Sequence, residues 1–505
     1  MPSPSGTGTL AARGTIEGTA RDKGSAMTDD ARVQAGKQDY VLSKAVQLAS
    51  VAAMGGFLFG YDTAVINGAV TPMREAFGTG SVLTGFMVSS ALLGCVAGAY
   101  LAGRLAERRG RIWVMVLAAI LFVISAIGSG LAFGPWDLIL WRVIGGVGVG
   151  AASVIAPAYI AEIAPARIRG RLGSLQQMAI VTGIFLALLT NYFLATVAGG
   201  AAEELWFGLA AWRWMFMVEV IPAVLYGVLA LTIPESPRYL VSRGEEKTAR
   251  EVLARVMRTG ISERIAEIKR TVSIEARSSV QDLIDPRRGG LLPIVWIGIG
   301  LSVLQQFVGI NVIFYYSSTL WQSVGFTEQD ALAQTVITSV TNIVVTIVAI
   351  ALIDRIGRRR LLTIGSVGMT ISLATLAWVF ATADRVAQVD DFGVEQLVPA
   401  LSDTQGVVAL VAANVFVVFF GMSWGPAVWV LLGEMFNNRI RATALGLAAA
   451  AQWLANFLIS TTFPVMADWG LGFAYGFYTF FALVSFFFVI KLVPETNNRE
   501  LEDMD

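Results

Sequence analysis

The chain has 505 residues, 55% of them apolar and 15% charged, with a mean hydropathy of +0.65. Soluble domains carry about 45–50% apolar and about 25% charged residues, so composition argues against a soluble multidomain enzyme. Lys plus Arg and Asp plus Glu balance at 37 each, which gives no basic excess for nucleic acid. The absence of histidine removes imidazole acid–base chemistry and most zinc and haem sites. Cys95 is the sole cysteine, so no intrachain disulfide can form. No metal or other cofactor is expected.

Residues 1–40 are rich in Gly, Ser, Thr and Ala and contain no apolar run. Such a segment cannot bury a core and is expected to be disordered. It also lacks the charged start, apolar middle and small-residue cleavage site of a secretory signal, so an uncleaved cytoplasmic tail is expected. From about residue 45, twelve apolar stretches follow, near 45–70, 81–103, 112–133, 138–163, 171–196, 212–233, 291–320, 331–353, 360–382, 406–432, 440–466 and 471–492. Each is long enough to cross a hydrocarbon core as a helix, which takes roughly 20 residues.

The basic residues orient these spans. The short loops after spans two, four, eight and ten carry Arg104, Arg108, Arg109 and Arg111, then Arg167, Arg169 and Arg171, then Arg355, Arg358, Arg359 and Arg360, then Arg439 and Arg441. The opposite loops offer only Arg74 and Arg385. Because Lys and Arg favour the cytoplasmic side of short loops, both termini are expected inside. The segment 234–290, with EEKTAREVLARVMR and SERIAEIKR at helical period, reads as short amphipathic cytoplasmic helices. The expected divisions are a tail (1–40), a six-helix bundle (41–233), this linker (234–290), a second bundle (291–493) and a terminal tail (494–505).

An internal repeat underlies the count. GRLAERRGR at 103–111 recurs as DRIGRRR at 354–360, and AEIAPARIRGRLGS at 161–174 recurs as GEMFNNRIRATALG at 433–446. Two six-span halves marked at the same turns suggest a duplicated, pseudo-two-fold transporter with its site at the midplane between the halves.

These Arg-rich turns, with PESPR at 234–238, QQFVGINVIFYY at 305–316, SWGPAVWVLLGE at 423–434 and PET at 494–496, resemble the sugar porter family of the major facilitator superfamily. The likeness runs from about residue 45 to 500 and is closest to actinobacterial proton-symporting glucose permeases. It implies an all-α membrane fold, with twelve transmembrane helices in two pseudo-symmetric six-helix bundles. Ile112 stands where the family usually has a second basic residue, and Asn497 and Asn498 where Lys-Gly usually follows PET. Those departures bear on cytoplasmic contacts, not on the sugar site.

FLFGYDTAVINGAV at 57–70 places Asp62 inside the first span. An intramembrane carboxylate is costly unless protonated, paired or hydrated, and burial favours the neutral form. The natural partner is Arg142 in LWRVIGGVGVG of the fourth span. The resemblance implies a pair that protonation breaks, which couples protons to transport; the residues alone also fit a permanent structural bridge. Glu219 in MFMVEVIPA is a second buried acid at a position that tunes the arginine in relatives, and it too fits plain structural pairing.

A sugar hydroxyl donates and accepts, and Asn and Gln amides present both functions on one plane. Gln177, Gln305, Gln306, Asn311, Asn342 and Gln452 lie inside apolar helices, where an amide serves either as helix–helix glue or as cavity lining. Gln305 and Asn311 are six residues apart, about 600° of helical turn, so a regular helix would not aim both inward. Gly309 between them permits a break, and the resemblance implies a discontinuous seventh helix. It also implies hexose contacts at Gln177, Gln305, Gln306, Asn311 and Gln452, with Tyr315 and Asn342 close by. Aromatic rings that pack on a pyranose face are expected at Trp429, Trp453 and Phe59, whereas Trp424 reads as packing. Gly421, Gly425 and Pro426 interrupt the tenth helix and suit an inner gate.

Arg104, Glu162, Arg169, Glu235, Arg355, Glu434 and Arg441 match positions that bridge the halves on the cytoplasmic side when the site faces outward. Together these residues read as a monomeric secondary transporter of the cell membrane, not an enzyme. It would import a monosaccharide, D-glucose foremost, by proton symport and alternating access. A hexose uniporter, a pentose or galactose symporter and a sugar sensor are the alternatives. Ile184, apolar where some pentose symporters carry an amide, tilts the reading toward hexose.

Overall fold

The computed structural model describes residues 40–165, 168–275, 280–284, 289–389, 395–436 and 440–495. Apart from Tyr40, Pro494 and Glu495, the two expected tails lie outside the described residues.

Among the described residues, twelve helices are long and apolar enough to cross a membrane. They are Leu42–Gly68, Ser81–Arg109, Arg111–Gly130, Pro135–Ile163, Arg171–Ala198, Ala211–Ala230, Pro293–Ser323, Glu328–Leu352, Arg358–Ala381, Asp403–Met435, Thr443–Trp469 and Leu471–Leu492. All twelve expected stretches are present, with several helices extending past the apolar core because charged residues continue them into water. With twelve such helices, the described segment enters the first span and leaves the last on one face.

The turns repeat between the halves. Gly110 and Gly357 end one span and begin the next, at φ +96° and +90°. A side chain at either would be strained, and a single glycine reverses the chain there. Among the described residues, four spans are interrupted. The first ends in a 3₁₀ turn, Ile66–Gly68, and the sixth is divided into Ala211–Met217 and Val220–Ala230. The seventh divides at Gly309, φ +82°, into Pro293–Phe307 and Ile310–Ser323. The tenth carries a π-helical turn, Phe420–Trp424, ahead of Pro426.

Within the first half the first span lies on the fifth and the second on the fourth; the ninth lies on the twelfth in the second half. The first and fifth cross so closely that a Cβ on Gly60 would lie 2.0 Å from Ile180 O, and one on Gly183 2.0 Å from Phe57 O. Small residues admit such backbone approach where lipid supplies no hydrophobic drive between helices. Between the halves, the second span meets the eleventh and the fifth meets the eighth.

Several bonds close the seam at the face away from the termini. Asn67 Nδ2 donates to Phe314 O and Ser317 Oγ, both at 2.9 Å, and Ser318 Oγ donates to Asn67 O. The hydroxyls of Thr71 and Thr319 are 3.1 Å apart and those of Ser89 and Thr461 2.6 Å apart. Glu328 Oε1 accepts from Ala201 N at 2.9 Å.

The linker forms the short helices Pro237–Ser242, Glu246–Val256 and Ile261–Glu275. Lys269 Nζ lies 2.6 Å from Glu246 Oε1, which ties the last two together, and the ammonium holds the Glu246 carboxyl below its usual range. Two antiparallel hairpins, Glu204–Trp206 with Leu209–Ala210 and Asp384–Val389 with Glu395–Ala400, were not expected from sequence. The first turns through Phe207 and Gly208 at φ +56° and +74°, a backbone usually announced by Asn or Asp, and here it is not.

Candidate functional site

Two polar groups are buried between the spans. In the first half, Arg142 Nη1 donates to Asp62 Oδ1 at 3.1 Å and to Asp62 O at 3.2 Å, with both side chains 2% exposed. The guanidinium also lies 5.8 Å from the Phe216 ring. Glu219, 1% exposed at the break of the sixth span, is within electrostatic reach of both. Asp62 Oδ2, Arg142 Nε and Glu219 Oε1 have no hydrogen-bond partner among the described residues. Unsatisfied buried polar atoms cost stability and are rare, so three around one ion pair set this cluster apart from a finished structural bridge. Gly145 makes its room: a Cβ there would lie 2.3 Å from Ser125 Oγ and 3.4 Å from Asp62 Oδ1.

In the second half, the break at Gly309 turns Asn311 back onto the preceding helix. Asn311 Nδ2 donates to Gln306 Oε1, Gln306 Nε2 to Gln305 Oε1 at 3.3 Å, and Gln305 Nε2 to Trp424 O at 2.7 Å and Gly425 O at 3.4 Å. Gln305 and Gln306 are 2% and 5% exposed. Asn342 is buried beside the π-helical turn, its Oδ1 3.5 Å from where a Cβ on Gly421 would stand. Tyr315 is buried, its hydroxyl accepting from Asn456 Nδ2 at 3.4 Å. Gln452 Oε1 is buried with no partner among the described residues.

Phe59 and Trp453 meet across the halves as tilted rings 5.5 Å apart. Trp429 stands 42% exposed, and Gln177 is half-buried on the fifth span. Trp424 is fully buried, its Nε1 donating to Leu362 O at 3.1 Å and Ser366 Oγ at 3.0 Å.

At the face of the termini, the described arginines that meet the acids were not among the expected gate residues. Glu162 accepts from Arg111 Nη2 at 2.8 Å and Nε at 3.0 Å, and from Ser236 Oγ; Glu434 pairs with Arg358 at 2.8 Å. Arg104 instead stacks 4.1 Å over Tyr100, and Arg355 is exposed. The cause is the backbone: positive-φ Gly110 and Gly357 swing the following residue, not the preceding ones, under the bundle. These pairs also join neighbours within a half, because the end of the fourth or tenth span lies beside the start of the third or ninth. Glu235 accepts from the amides of Arg111 and Ile112 at 2.9 and 3.1 Å, and Glu495 from those of Arg358 and Arg359 at 3.2 Å each. Each acid thus caps a helix N-terminus, where negative charge is favoured. The side chains of Arg169 and Arg441 lie outside the described residues.

Sequence reasoning missed Asn456, though it is an amide in an apolar helix one turn beyond Gln452 and so carried a readable signal. It also missed Glu495 as the repeat of Glu235, which the likeness of PES and PET announces. Nothing in the sequence distinguishes Ser125.

Comparison with known proteins places this geometry. The Sugar (and other) transporter family profile matches residues 48–505. The chain belongs to this family of sugar transporters. It is 59% identical over 459 residues to the glucose transport protein of Synechocystis, covering 90% of this chain and 96% of the relative. It is 38% identical over 489 residues to the D-xylose-proton symporter of Escherichia coli K12, covering 90% and 94%. Among solved structures, the partially occluded inward open xylose transporter XylE from E. coli superposes with a TM-score of 0.76 at 37% identity, over 91% of this chain and 100% of that one. XylE bound to 6-bromo-6-deoxy-D-glucose gives 0.75 at 38%, over 92% and 99%. The fold is that of the major facilitators, in a multi-pass membrane protein.

Proposed function

We propose that the chain imports D-glucose together with protons, by alternating access across the cell membrane, with both termini in the cytoplasm. The carrying observation is the enclosed Asp62–Arg142 pair with Glu219 beside it and one carboxylate oxygen of Asp62 unpartnered. Protonating Asp62 removes the charge that holds Arg142 and releases the contact between the first and fourth spans. Such a step converts a proton gradient into a conformational bias. Glucose is favoured by the similarity to a glucose transport protein and by half-buried, apolar Ile184 beside the first span.

In this reading Gln177, Gln305, Gln306, Asn311 and Gln452 meet the hydroxyls, Tyr315 and Asn342 lie close by, and Trp429, Trp453 and Phe59 supply apolar faces. The acids and arginines at the terminal face bias the two-state equilibrium, and the protein works as a monomer. Full-length protein in liposomes, given labelled glucose and an imposed proton gradient, tests this. Uphill accumulation with sugar-dependent alkalinisation of the outside is expected. Equilibration without proton movement would make it a uniporter. Similarity to xylose symporters keeps a pentose as the second substrate class, which competition by xylose and galactose against glucose resolves.

A further inference from the structure

A carboxamide can be turned end for end with little change of shape, so an isolated Gln or Asn offers a ligand either C=O or N–H. Between the seventh and tenth spans that freedom is removed from one end. Trp424 O is a backbone carbonyl and can only accept, so the Gln305 atom 2.7 Å from it must be Nε2. Gln305 Oε1 then faces Gln306 and can only accept, which makes the Gln306 atom 3.3 Å away its Nε2. The step repeats once more, with Gln306 Oε1 accepting from Asn311 Nδ2. The Trp424 carbonyl, with that of Gly425 3.4 Å from the same nitrogen, orients three amides.

We propose that the Trp424 carbonyl, acting through Gln305, sets the hydrogen-bond polarity of the sugar site. Gln306 is presented to the sugar as a donor through its second N–H, and Asn311 offers Oδ1 and its second N–H. The ligand class that fits has one hydroxyl accepting from Gln306 and a neighbouring hydroxyl donating to Asn311. This inference rests on the sugar-transport reading above. The anchor is firm, because Trp424 is held by Leu362 O and Ser366 Oγ at the end of the π-helical turn. Gln305, 2% exposed and bonded at both ends, is placed to act through Gln306. The same chain ties the break in the seventh span to the π-helical turn of the tenth, so movement of one is felt at the amides of the other.

The test is binding of glucose and its deoxy and deoxyfluoro analogues, position by position, to the purified full-length protein. Fluorine accepts a hydrogen bond and cannot donate one. At the hydroxyl facing Gln306, the deoxy sugar should bind about ten-fold weaker than glucose while the fluoro sugar keeps most of the affinity. Gln305→Met removes both ends of the relay, frees Gln306 to turn, and should close that fluoro–deoxy gap. Gln305→Leu likewise removes both ends and should close it too. A gap that survives in either variant overturns the relay, and each variant decides alone if the other does not fold. So does the lack, in the unaltered protein, of any position where fluorine replaces hydroxyl better than hydrogen. Failure of the unaltered protein to bind any of these sugars overturns the transport reading, and the relay with it.

Discussion

At the scale of single residues, the amides and the buried acid stand out in the sequence because lipid makes them expensive. A Gln in an apolar helix needs a partner or a cavity, and Gln305, Gln306 and Asn311 are mutually bonded while Gln452 keeps a free oxygen. Gln306→Ala should remove bonds from a sugar held away from water, at about 1–3 kcal/mol, and lower affinity about ten-fold or more. Isothermal titration reads the loss, and unchanged affinity would make this amide helix glue. Asp62→Asn imitates the protonated acid at nearly equal volume. Sugar exchange should persist while uphill accumulation and its pH dependence vanish; a variant that still concentrates sugar moves coupling to Glu219. Which arginine meets which acid was not legible, since Arg104 and Arg111 differ only in their place relative to a glycine whose φ the sequence does not state.

At the scale of elements, the spans were readable almost to their ends, because length and apolarity suffice to define a crossing helix. The division of the seventh span was readable for a different reason: Gly309 sits where the pattern of amides cannot be met by a regular helix. Gly309→Ala would place a methyl 2.8 Å from the Tyr478 ring at φ +82°. An L-residue in that backbone region costs about 1–2 kcal/mol, so thermal unfolding should begin at lower temperature. Sugar binding should weaken alongside it, since Asn311 loses its approach to Gln306; intact binding would show that the two helix segments tolerate realignment. The first hairpin escaped notice, because two or three paired residues beside Phe207 and Gly208 leave no alternating pattern to read.

For the whole molecule, the internal repeat predicts more than helix number. The capping acids Glu235 and Glu495, and the pairs Arg111–Glu162 and Arg358–Glu434, recur at equivalent places, so each half is braced separately at the face of the termini. The other face is where Asn67, Ser317, Ser318, Ser89 and Thr461 join half to half. Removing the Asn67 bonds should favour the state open on that face. With Asn67→Ala, a membrane-impermeant maleimide should label a cysteine placed at Thr319 faster than in the parent; equal labelling would show the seam holds without this amide.

Cys95, the only thiol of the chain, is completely enclosed in the second span. The molecule therefore comes with an almost silent background for covalent chemistry. Cysteines in place of Ser89 and Thr461, whose oxygens are 2.6 Å apart, would be close enough to oxidise to a disulfide with no exposed native thiol to compete. Such a staple would stop turnover and release it on reduction, which makes the rocking of the two halves something a reducing agent can switch on.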